Sequence, residues 1–474
     1  MAHSEAALVT GHSYERAGLL LPKNDTVPID AEVNELYETA KGIHPATYEQ
    51  LAATKERLAQ AEADFLASGC TMDVDLRVDP ETIDLSEINE RIMHLKDAKK
   101  ELIADTTIRK DVKQAYRWAI NERIANLYMI TTSARGDMRQ FARWNEFVYG
   151  QPDEYVYRGA LDWICHDAET LEQDEDTAVA QAARDVLHRF GKERGYRELL
   201  VPDEKVFKAV RDDHFREGGY YDLLLDGTDL PREGIITSEI GDPHLQHVVS
   251  HNLHSDYRVM DAAGGTWSVA HDKEEVRRPK GHRHSYERYI GLGLGHEVGS
   301  HLLERVNGLL GPLRLAADGL DRYELGNEGR ALIREQVPYE TFDEFGKLLR
   351  WRDVMRRHIA VSLGAGTGDE RPHRFSEVYQ AINLIDTMYA VKVGKPESAH
   401  RRSWDLVTRV LKATDGQGGA YLKDKVYLEG NIACWLTAAL RGPEAISNGD
   451  LSKSDINNPR HIALQQSVGL LPRI

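Results

Sequence analysis

The segment 289–306, YIGLGLGHEVGSHLLERV, constrains the fold more than any other stretch of this 474-residue chain. Ile290, Leu294, Val298, Leu302 and Val306 recur every four residues, which predicts one helix with a buried face running through both His296 and His301. The two histidines are five residues apart, with Glu297 directly after the first. At about 100° per residue, a spacing of four returns a side chain to within about 40° of its start, whereas five leaves the pair about 140° apart. A regular helix therefore aims the two imidazoles at different places. They meet on one ion only if the extra residue is absorbed by a π-bulge, a widening common at functional sites, and Gly299 in the spacer offers the least steric resistance to it. Gly291, Gly293, Gly295 and Gly299 each cost a helix about 1 kcal/mol relative to alanine, so close approach of backbone or substrate is expected to explain them.

A third ligand follows in LDRYELGNEGRALIREQV, where Asn327 reads as a helix start and Glu328 falls in the first turn, with Leu332, Ile333 and Val337 apolar. Two histidines on one helix and a glutamate on the next make the His₂Glu set of an open catalytic zinc site, whose fourth position is left for water. Glu297 is then the general base beside that water. A structural zinc favours four protein ligands, usually with cysteine, and Cys70, Cys165 and Cys434 lie far apart without C-x-x-C spacing.

The formal net charge of -17 opposes binding to nucleic acid or anionic membranes, and no apolar run is long enough for a membrane span. The cysteine pattern and the N-terminus, MAHSEAALVTGHSYERAG, which lacks a basic leader region, point to a cytoplasmic enzyme. Three segments are expected: a helical N-terminal module over 1–110, a catalytic domain over 111–445 and a C-terminal tail over 446–474. In the first, Leu51, Leu58 and Phe65 recur at sevens up to a helix stop at Gly69, and Ser86 signals a cap before the stripe Ile88, Ile92 and Leu95. The acidic run ETLEQDEDTAVAQAARDVLHRF reads as a solvated helix face, GGTWSVAHDKEEVRRPKG as two strands joined by a hairpin, and DGQGGAYLKDKVYLEGN as a loop leading into IACWLTAAL. His247 and His251 have helical metal spacing but no acidic neighbour; they, His244 and His254, and His282 and His284 near the strands, are read as non-ligands.

The stretch HEVGSHLLERVNGLLGPLRLAADGLDRYELGNEGRA resembles the microtubule-associated tyrosine carboxypeptidases and their bacterial QEGLA-motif relatives. Matching positions are His296, Glu297, Gly299, His301, Asn307, Gly308, Pro312, Leu313, Gly319, Leu320, Tyr323, Glu328, Gly329 and Ala331; Ser300, Asn327 and Arg330 depart from the pattern. Arg409, Lys423, Asp424, Tyr427 and Gly430 are similar to a second family segment near the C-terminus. The resemblance implies a zinc carboxypeptidase with a helix-rich α+β, zincin-like core: a small β-sheet and an active-site helix. Some family members remove a C-terminal tyrosine from tubulin. Arg330, where leucine is usual, is expected to alter specificity. A carboxypeptidase must hold a terminal carboxylate, for which Lys423, Arg409 and Arg277 are the candidate cations, and Tyr427 is a candidate donor to the developing oxyanion. The expected partner is a peptide or protein C-terminus; a zinc endopeptidase or aminopeptidase, or a non-catalytic helical binding protein on the same scaffold, are the alternatives.

Overall fold

The computed structural model describes residues 19–21, 28–41, 51–191, 195–196, 198, 202–263, 265–339, 349–368 and 371–471. The N-terminal 18 residues, read above for a leader, and residues 46–50 of the first predicted helix lie outside them. The chain is helix-rich α+β, 66% helical, with two small sheets. No described helix is long and apolar enough to cross a membrane.

The N-terminal half is helical as the periodicity predicts, with helices Lys55–Ala67, Leu85–Ala104, Lys110–Ala134 and Met138–Tyr149. Gly69, in the left-handed region, follows the first of these. The cap of Leu85–Ala104 is Asp84, whose carboxylate accepts from the backbone N–H groups of Ser86 and Glu87, so Ser86 lies inside the helix rather than capping it. Leu51 precedes its helix and packs in a different core from Phe65. The acidic run spans the end of helix Glu154–Glu172, a turn and the whole of helix Thr177–Phe190, whose cap is Asp176 and whose Val179, Ala183 and Val186 are buried, so its acidic residues gather at the turn rather than along a helix face.

The expected boundary at residue 110 is not a packing boundary. Val33, Ile88 and Leu95 share a core with Tyr116, Ile124 and Ile130, and also with Leu313, Leu315 and Leu464. Nor do residues 446–471 hang as a tail. Ile446 and Ile456 belong to the main core, and Leu451, Leu470 and Leu471 pack with Leu21. Buried Asn307 ties these ends together: its amide oxygen accepts from Leu21 N at 2.8 Å, and its amide nitrogen donates to the Leu19 and Asp450 carbonyls at 3.0 and 2.9 Å.

The predicted hairpin is present as strands β3 (Ser268–Ala270) and β4 (Glu275–Arg278), paired antiparallel with Ser268 opposite Arg277. β4 also pairs in parallel with β2 (Arg258–Asp261), and β1 (Ile235–Thr237) pairs antiparallel with β5 (Arg283–Ser285). Both sheets lie at the N-terminal end of the histidine helix, which β5 enters through the short turn Tyr286–Arg288. Histidines of this region serve packing. His282 Nε2 lies 3.2 Å from Asp242, Trp267 donates to His284 at 3.2 Å, and His244 meets the Tyr289 hydroxyl at 3.0 Å.

Candidate metal centre

The histidine segment is more distorted than a single bulge. Tyr289–Leu302 is π-helical along its whole length, returning to α-helical spacing at Leu303–Leu310. Ile290, Leu294, Val298 and Leu302 are fully buried, so the apolar face expected from the sequence anchors it. The glycines answer to the chain's own neighbours. A Cβ on Gly299 would overlap the Tyr220 hydroxyl, and one on Gly291 would press within 3.0 Å of the Glu335 backbone. Bonding to the fifth residue widens each turn, so a spacing of five now stacks His296 and His301 on one side. Their ring centroids are 4.9 Å apart, with the planes at 81°.

Glu328 faces them from the helix Glu324–Gln336. That helix begins three residues before the expected start: Tyr323 is its cap, and Asn327 instead donates to Glu304 Oε2 at 2.7 Å. Glu328 Oε2 lies 3.6 Å from His296 Nε2 and 3.8 Å from His301 Nε2, and one ligand atom from each of the three residues falls within 4.8 Å of the others. Tetrahedral zinc with ligand bonds of about 2.0–2.1 Å sets its donors roughly 3.3–3.4 Å apart, so the carboxylate stands a few tenths of an ångström beyond that spacing from each imidazole. Two imidazole nitrogens and one carboxylate oxygen are also the donor chemistry of an open zinc site. Among the described residues this is the one group of three or more metal-ligating side chains so arranged; His247 and His251 stack on each other at 4.4 Å instead.

Glu335 was not anticipated. Its Oε1 sits 2.6 Å from His296 Nδ1. It thereby turns Nε2 toward Glu328, as carboxylates behind metal-binding histidines do. The sequence signal was available: Glu328 and Glu335 are seven residues apart, two turns along one helix face. Burial pulls the His296 pKa down, but Glu335, Glu297 and Glu328 outweigh it and raise it above the ordinary value. His301 goes the other way. Burial, reinforced by His296, Lys453, His271 and Arg330, holds it well below the ordinary value and leaves a neutral imidazole. Glu297 is buried beside His296.

The remaining expected site residues divide. Gly329 and Gly430 bring helices Glu324–Gln336 and Lys425–Arg441 into backbone contact, since a Cβ on either would collide with the other helix. Tyr427 on the second helix thus lies where Glu328 influences it: burial first, then Glu328, raises its pKa and keeps the hydroxyl protonated. The helix starts well before IACWLTAAL, so Tyr427 is helical rather than in the expected loop. Lys423 Nζ bonds Glu324 Oε1, Arg409 grips Asp424 through Nε and Nη2 at 2.7–3.0 Å, and Arg277 Nε lies 2.9 Å from Glu275 on β4. Each candidate cation is therefore ion-paired within the chain. Arg330 is fully buried against Glu304, with Asp450 3.7 Å from its Nε, so it is closed to substrate rather than placed to select one. A buried lysine that the sequence did not flag, Lys453, stands near enough for its charge to act on His301.

No family model, characterised protein or solved structure matches this chain. The family resemblance therefore rests on the motif residues themselves.

Proposed function

We propose that the protein is a zinc-dependent peptidase, and within that class a carboxypeptidase, with His296, His301 and Glu328 holding the metal in a zincin-like core. The observation that carries this reading is the convergence of the three donors across two helices, on a helix widened so that a spacing of five works. A zinc ion held by these three residues would supply a Lewis acid that makes water a stronger nucleophile and polarises the scissile carbonyl. Glu297 takes the proton from the attacking water and returns it to the leaving amine. Tyr427 donates to the carbonyl oxygen as it gains charge. Glu335 fixes the orientation of His296.

Terminal-carboxylate recognition falls to Lys453, whose charge reaches His301, or to Lys423 if a substrate carboxylate displaces Glu324 from it. That Lys423, Arg409 and Arg277 are all engaged by carboxylates of the chain favours a second reading, an endopeptidase that holds no substrate terminus. Matched peptides with free and amidated C-termini, incubated with the zinc-loaded protein and analysed by mass spectrometry, separate the two. Loss of one C-terminal residue from the free peptide alone is the carboxypeptidase result. Equal cleavage of both, at internal bonds, is the endopeptidase result, and cleavage of neither across a broad panel contradicts the peptidase assignment.

A further inference from the structure

Arg334 reaches the widened helix at the point where its hydrogen bonding changes. The Leu303 N–H is shared between the Ser300 carbonyl, three residues back, and the Val298 carbonyl, five residues back, passing over Gly299, and beyond it the helix is α-helical. At such a junction two successive carbonyls compete for one backbone donor, and the Gly299 carbonyl, next after Val298, is left short. Arg334 Nη1 donates to that carbonyl at 2.6 Å and to Ser300 Oγ at 3.0 Å, while Ser300 Oγ donates to the Gly295 carbonyl at 2.9 Å. The bound carbonyls thus flank His296 and precede His301. Behind the guanidinium, Nη2 pairs with Asp450, and the Tyr220 ring lies across it with 3.9 Å from the guanidinium carbon to the ring centroid. Arg334, Ser300 and Asp450 have no solvent exposure.

We propose that Arg334, braced by Asp450 from the C-terminal segment, is the positioning residue that keeps the helix in the five-residue register in which His296 and His301 face one ion. The proposal rests on the metal-centre reading above. Arginine suits the task because one planar group serves the Gly299 carbonyl, Ser300 and Asp450 together, whereas a lysine ammonium on a flexible stem lacks that fixed fork. It also accounts for the burial of Asp450, which delivers the counter-charge.

Cobalt(II) titration of the full chain, followed by its visible absorption and by competition with a chelator, tests this. The wild type is compared with Arg334→Lys, which keeps the charge opposite Asp450, and with Arg334→Met combined with Asp450→Asn, which removes both charges together. Circular dichroism and urea unfolding report whether each variant folds. The expected result is folded variants that bind cobalt roughly tenfold or more weakly, as for other residues that orient metal ligands, with an altered visible band per bound ion. A merely structural role would lower the urea midpoint and leave the band unchanged. Folded variants with wild-type affinity and spectrum overturn the proposal; if the double variant does not fold, Arg334→Lys decides. A wild type that binds no cobalt overturns the metal-centre reading itself, and the clamp with it.

Discussion

The helix Glu324–Gln336 carries two sets of charges on opposite sides, and they are balanced differently. On one side Arg330 and Arg334 meet Glu304 and Asp450, two charges of each sign, all without solvent exposure. On the other, Glu328 and Glu335 converge with Glu297 on two imidazoles, of which His301 is held neutral. The first cluster is electrically closed. The second gathers three carboxylates against at most one imidazolium, with Lys453 and, from the first cluster, Arg330 as the cations acting on His301, and it is partly open to solvent through His301 and Glu328. Burying like charges together is costly unless a cation answers them. The closed cluster is thus a structural lock, and the open one has the charge pattern of a cation site.

The largest effect separating the two belongs to Glu297. Glu297→Gln is expected to keep the metal and the fold but to cut peptide hydrolysis by about 10²–10⁴-fold, because an amide cannot accept the proton; steady-state kinetics on metal-quantified protein checks this. The closed cluster should respond in stability instead. Arg330→Leu leaves Glu304 buried without its principal cation and is expected to cost about 3–5 kcal/mol in urea unfolding, whereas pairing it with Glu304→Leu should recover most of that loss. If Arg330→Leu leaves stability intact and changes which peptide is cut, the assignment of this residue to the closed cluster is wrong.

A smaller effect comes from acid. Burial raises the Asp424 carboxyl, but Arg409 overrides it and brings its pKa down to about 2. A carboxylate depressed in the folded state stabilises the protein above its unfolded pKa of about 3.9, and that contribution is lost as pH falls through the folded value. Unfolding measured between pH 4 and 2 should therefore show a loss on the order of 2 kcal/mol that Asp424→Asn abolishes. Retention of the full acid dependence in that variant would reassign it to other carboxylates, such as Glu429, which is brought down similarly by His358 and Lys425.

Much of the open cluster was legible in the sequence because it is local. The four-residue apolar repeat, the five-residue histidine spacing and the glycines together specify a widened helix, and Glu328 follows from one helix start. Glu335 was legible in principle, by its phase with Glu328. The closed cluster was not. Asp450 lies in SNGDLSKSDINN, whose composition reads as a solvated tail, and only the tertiary approach of that segment to Arg330 and Arg334 makes it core. Arg330 misled for the same reason: a charge near a motif reads as specificity until its buried partner is seen. The start of Glu324–Gln336 was misplaced because Tyr323 caps it without a side-chain bond, leaving no Ser, Thr, Asp or Asn signal at the true end.

The central claim is that the open cluster holds a metal ion. Its most direct test is elemental analysis of the purified chain after zinc addition and removal of excess, beside His301→Ala treated identically and shown to be folded. One zinc per wild-type chain, with loss of stoichiometric zinc in His301→Ala, is the predicted result. A wild-type chain without stoichiometric zinc, or an alanine variant that retains it in full, would contradict the account.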